Sequence, residues 1–149
     1  MGGLRSEIDG DIWTISANRM KGRKEHRVPL TGRSLEILAM AKTMDENSQY
    51  LFSRNGKPLS NMAMPMLLRR LNSNVTVHGF RSTFRDWVSE ETSHSPEVAE
   101  MALAHTIKNK VEAAYRRKDL LERRRILMRD WLDFCNSEQF NNVTTLLAA

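Results

Sequence analysis

Only one cysteine, Cys135, occurs in the 149 residues, so an internal disulfide is excluded. Its four histidines are scattered without zinc-ligand spacing, and no metal or other cofactor is expected. No apolar run approaches the ~20 residues that a membrane-spanning helix requires, which points to a protein without a membrane partner. The start, Met1-Gly2-Gly3-Leu4-Arg5, has neither the basic opening nor the apolar stretch of a secretory leader, and a cytoplasmic location is expected. Repeats and low-complexity tracts are missing as well, which leaves one domain rather than an array.

What is present suits a single core: 40% of residues are hydrophobic, enough to pack an interior at this length. The domain is expected over residues 4–135. Residues 136–149 turn polar and then end in Leu146-Leu147-Ala148-Ala149 without a cap or a sustained period, a tail expected to be flexible or to dock on a neighbouring protomer. The net charge of +5 favours an anionic partner, although charge alone does not select one.

Local patterns predict a mainly helical fold with a small β-hairpin near the N-terminus. Ile12–Ile15 and His26–Leu30 are β-prone segments on either side of a basic stretch, Arg19 to Lys24, which reads as a hairpin with a long charged tip. Thr31 can cap a helix whose stripe of Leu35, Ile37, Leu38 and Met40 is expected in the core. Asn55-Gly56 marks a turn, and Ser60 or Asn61 can cap a helix through Met66, Leu67 and Leu71, with Arg69 and Arg70 outward. Phe80, Phe84, Trp87 and Val88 form one helical stripe, with Arg81 and Arg85 on neighbouring turns. Ser95-Pro96-Glu97 starts a further helix that should end near His105. A short helix is expected over 109–115 and a longer amphipathic one over 119–134, with Leu120, Leu121, Ile126, Leu127 and Trp131 inward.

The chemistry concentrates in a few polar groups. His78 and Arg81 stand three residues apart, so at a helix start both can face one side, about 4.5 Å apart along the axis. A guanidinium is planar, permanently charged and bidentate toward phosphate oxygens. Leu103-Ala104-His105 precedes Ala113-Ala114-Tyr115-Arg116-Arg117, adding a second imidazole and a tyrosine. Each group taken alone has a plainer use: His78 as a helix cap, Tyr115 as a core aromatic, His105 at a helix end, and the hairpin cations as a solvated loop. His26 and His94 show no chemical companions in the sequence.

Taken in order, HGFR at 78–81, LAH at 103–105 and AAYRR at 113–117 resemble the catalytic domain of tyrosine recombinases, the phage integrase family. The resemblance spans Leu4 to about Phe134 and is strongest to prophage and genomic-island integrases, through MKGRKEHRVPL at 20–30 and HGFRSTFRDW at 78–87. It implies that Tyr115 attacks a DNA phosphate to form a 3′-phosphotyrosyl link. It further implies that His78 and Arg81 bind and polarise that phosphate, with His105 assisting. A hairpin lysine eight residues before Pro29, Lys21, would be the general acid toward the leaving 5′ oxygen, with Lys24 the weaker candidate. The partner implied is double-stranded DNA at attachment sites, bound by a tetramer, and no ATP is needed because the link conserves the phosphodiester.

One family element is missing: the first catalytic arginine, in an R-x-x-E motif, should lie just upstream of Leu4–Asp9, and Arg5 matches a neighbouring structural position instead. The chain is therefore expected to be an N-terminally truncated piece of an integrase, lacking arm and core-binding domains. Loss of one preorganised donor costs about 2.7 to 4 kcal/mol, so weak or no cleavage by this chain alone is expected. Two other readings remain: a non-catalytic DNA-binding remnant, and a protein-interaction module using the C-terminal tail.

Overall fold

The computed structural model describes residues 2–105 and 119–137. Near its start, Ile8–Asp9 (β1), Ile12–Ile15 (β2) and His26–Pro29 (β3) form an antiparallel sheet in the order β1-β2-β3. Trp13 pairs with Val28 and Ile15 with His26, so β2 and β3 are the expected hairpin and Arg19 to Lys24 lie in its long connection. β1 is an additional strand, turned back by Gly10 at φ +56°. Glu7 stitches this corner together, accepting from the Leu4 amide at 2.9 Å, from Trp13 Nε1 at 3.0 Å and from Arg19.

Thr31 caps α1 (Gly32–Met44), its Oγ1 accepting from the Ser34 amide at 3.3 Å. At the other end Arg5 donates to the Asp45 and Glu46 carbonyls at 2.7 and 2.6 Å, satisfying groups that a helix end leaves open. The expected core stripe on α1 does not form: none of its residues is buried, and Ile37 and Met40 are exposed. Apolar side chains at 35, 37, 38, 39, 40, 41 and 44 spread around most of the helix, so no single face is forced inward. Ser53–Arg54 (β4) and Lys57–Pro58 (β5) make a two-residue hairpin whose Asn55 and Gly56 both have positive φ, as a type I′ turn demands. The next helix, α2 (Ala63–Arg70), starts after Met62 rather than at Ser60 or Asn61, and Arg69 and Arg70 are exposed.

The buried interior is built by the last three described helices, α3 (Gly79–Glu91), α4 (Pro96–Ala102) and α5 (Leu121–Asn136). Phe84, Trp87 and Val88 of α3 meet Val98 and Ala99 of α4 and Leu127 of α5. Trp131 and Phe134 extend this cluster, with the Trp87 and Trp131 rings 5.0 Å apart and Phe84 edge-on to Trp131 at 5.2 Å. Two stripe residues, Phe80 and Ile126, depart from expectation and are exposed. The helix expected over 109–115 lies outside the described residues, as does the tail from 138 onward. No described helix is long and apolar enough to cross a membrane.

Candidate active site

α3 starts where Thr76 accepts from the Gly79 amide through both its carbonyl and its hydroxyl, each at 3.0 Å. His78 occupies the N-cap position, and its carbonyl accepts from the Arg81 amide at 3.0 Å, so the two residues sit one turn apart at the helix start. Both side chains are exposed. Arg81 Nη2 donates to the Leu103 carbonyl at 2.7 Å. That bond uses one of the five N–H donors of a guanidinium and orients the plane, leaving other donors for an incoming oxyanion.

Leu103 belongs to the end of α4. Ala104 takes a left-handed conformation, φ +53°, its amide donating to the Met101 carbonyl at 3.1 Å and that of His105 to the Glu100 carbonyl at 2.9 Å. These two bonds are the Schellman closure of a helix, and they fix where His105 leaves it. Its Nδ1 lies 2.5 Å from Glu100 Oε2, while Oε1 of the same carboxylate accepts from Arg85 Nε at 2.7 Å. Partial burial works against ionisation of Glu100, but the hydrogen bonds from His105 and Arg85 outweigh it and hold the carboxyl below the usual range. With Nδ1 facing Glu100, Nε2 is the ring nitrogen left for another partner.

The hairpin approaches the same junction. Lys21 and Lys24 are exposed in the connection between β2 and β3, and Arg23 there has φ +49°. At the base of the hairpin His26 is half-buried. Burial, then the nearby Arg124 and Arg81 guanidiniums, push its pKa down, against the opposite pull of the Ala102 carbonyl and Asp119. Arg27 Nη2 meets Asp119 Oδ2 at 2.7 Å. The fully buried Arg124 donates to the Arg27 and Asp119 carbonyls at 2.6 and 2.8 Å, fastening α5 to β3.

The structure thus brings Arg81 and His105 to one junction, places His78 a turn from Arg81, and leaves Lys21 exposed in the hairpin connection. Tyr115 lies outside the described residues. Glu100, His26 and Asp119 were not singled out by sequence, and His94, which also showed no companion there, pairs with Asp130 at 2.6 Å. No local pattern marks them, because each partner lies on another element or beyond a turn. Among the described residues no His, Cys, Asp and Glu group could hold a metal ion.

A mainly helical protein with a basic hairpin set against an arginine–histidine junction can receive an oxyanion such as a phosphate. A profile described as the Phage integrase family matches residues 5–122, a stretch that holds Lys21, His78, Arg81, His105 and Tyr115. The chain belongs to the phage integrase family. It is 35% identical over 142 residues to the prophage integrase IntA of Escherichia coli (strain K12), covering 92% of the chain and 34% of that protein. It is 34% identical over 128 residues to the prophage integrase IntZ of the same strain, covering 83% and 32%. To the integrase of Enterobacteria phage P4 it is 26% identical over 161 residues, covering 95% and 37%. The chain therefore spans about a third of the length of these relatives. No solved structure matches it.

Proposed function

We propose that this chain contributes the greater part of the active site of an integrase that cleaves and rejoins double-stranded DNA at attachment sites, acting as a tetramer in the cytoplasm. The Tyr115 hydroxyl attacks the scissile phosphorus and passes its proton to water as the new P–O bond forms. The bond from phosphorus to the 5′ oxygen breaks, and that oxygen takes a proton from the Lys21 ammonium and leaves as a 5′-hydroxyl. His78, Arg81 and His105 neutralise the charge that builds on the non-bridging oxygens. Because the phosphotyrosyl link is itself a phosphodiester, the reverse attack by a 5′-hydroxyl reseals DNA without ATP. The observation that carries this reading is the bond from Arg81 to the Leu103 carbonyl, two residues before His105, in a chain whose motifs run in family order.

The test is a nicked suicide DNA substrate from the element's own junction, mixed with this chain and with a version extended upstream to include the R-x-x-E arginine. The extended protein should form a denaturation-resistant adduct that Tyr115→Phe abolishes. Arg81→Lys should slow adduct formation about 100- to 1000-fold, because an ammonium cannot reproduce the bidentate fork. An adduct that persists in Tyr115→Phe overturns the proposal. Salt-sensitive binding with no adduct in any version would replace it with a non-catalytic DNA-binding role, for which the charge of +5 is the motive.

A further inference from the structure

His105 is gripped twice by the same residue. The Glu100 carbonyl accepts from its amide at 2.9 Å, and Glu100 Oε2 lies 2.5 Å from its ring Nδ1. The left-handed turn at Ala104 makes both contacts possible, because it folds the chain back over the last turn of α4. The carboxylate is itself tied down from a second helix, its Oε1 accepting from Arg85 Nε at 2.7 Å. Arg85 stands one turn after Arg81 on α3, and Arg81 donates to the Leu103 carbonyl at 2.7 Å. Two arginines of one helix face therefore fix the carboxylate and the backbone beside His105 in a single frame.

An ionised carboxylate can only accept hydrogen bonds. Partial burial opposes ionisation of Glu100, yet the bonds from His105 and Arg85 keep it ionised. Nδ1 must therefore carry the hydrogen of the shared bond, whatever the charge of the ring. Nε2, on the other side of the ring, then gains an N–H only as the ring becomes an imidazolium, and a charged donor of that kind binds a phosphate oxygen more strongly than a neutral one. We infer that Glu100 is a positioning residue for the reaction: with Arg85 behind it, it fixes the orientation and tautomer of the His105 ring and so aims Nε2 at the scissile phosphate. Glu100 touches no reacting atom. The inference rests on the proposed role of His105, and its test separates the two.

The experiment measures single-turnover adduct formation by the upstream-extended protein on the nicked substrate, as a double-mutant cycle of Glu100 and His105. Glu100→Gln is nearly isosteric, but its amide can turn either its oxygen or its NH2 group toward Nδ1 and so no longer selects a tautomer. It should slow the reaction roughly 10- to 100-fold, the scale expected for misplacing a catalytic group by about 1 Å. His105→Ala should slow it by about 100-fold or more, and adding Glu100→Gln to that variant should change nothing further. Arg85→Gln, which keeps the carboxylate but releases it, should give a smaller deficit that vanishes in the same background; this keeps the test decisive if Glu100→Gln folds poorly in a thermal melt. Nitrogen NMR of the chain, once the ring is neutral, should find the His105 hydrogen on Nδ1 in the wild type and distributed over both ring nitrogens in Glu100→Gln. Equal slowing by Glu100→Gln with and without His105, or a wild-type ring protonated on Nε2 alone, overturns the inference and makes Glu100 a structural residue. A wild-type rate for His105→Ala removes that histidine from the reaction first, and the positioning role with it.

Discussion

A carboxylate shared by a histidine and an arginine ties its own ionisation to the geometry of the α3–α4 junction. Glu100 holds both His105 and Arg85, and its pKa is lowered in the folded chain. A depressed carboxylate contributes stability that is complete above its unfolded pKa, about 4.3, and is lost as pH falls through the lower folded value. Stability should therefore drop below about pH 4.3, and Glu100→Gln should flatten that part of the profile in urea melts taken between pH 3 and 6. Parallel curves for the two proteins would mean that the pair is not formed in solution. At this scale the spacing of His78 and Arg81 was legible from sequence, because one turn of helix is a local property. The bond from Arg81 to the Leu103 carbonyl was not, since no short-range period links residues so far apart in the chain.

The end of α4 shows the same division at the scale of an element. Ser95-Pro96 announced where the helix begins, and the structure starts it at Pro96. Its closure is less expected, because Ala104 adopts the left-handed conformation that glycine takes at little cost and that other L-residues enter at about 1–2 kcal/mol. Ala104→Gly should accordingly raise stability by about 0.5–1 kcal/mol, the gain being trimmed by the greater freedom of glycine in the unfolded chain. A higher midpoint in thermal or urea unfolding checks this, and a lower one would show that the Schellman turn does not govern the junction. The α1, α3 and α5 stripes give the complementary lesson. Periodicity says which residues share a face, and Phe84, Trp87 and Leu127 were placed correctly. It does not say which element covers that face, and Ile37, Met40, Phe80 and Ile126 stay exposed.

Across the whole molecule, the sheet and the helical core are joined through buried charge. Arg124 reaches from α5 to the Arg27 carbonyl on β3 and to Asp119, with its side chain only 2% exposed. Removing it leaves the Arg27 and Asp119 carbonyls without their charged donor and empties the space its buried side chain fills, so Arg124→Ala should destabilise by about 2–5 kcal/mol. Urea unfolding measures this, and a loss under about 1 kcal/mol would show that the network does not join the two parts. The sequence by itself determined the helical character, the hairpin, the start of α4 and the order of chemical motifs, because periodicity, capping and turn chemistry act over a few residues. Only the tertiary structure decided that Arg81 would bind the end of α4, that Glu100 would hold His105, and that an arginine would sit in the core. Those outcomes depend on which carbonyls and carboxylates remain unsatisfied once distant elements meet, and no local pattern encodes that.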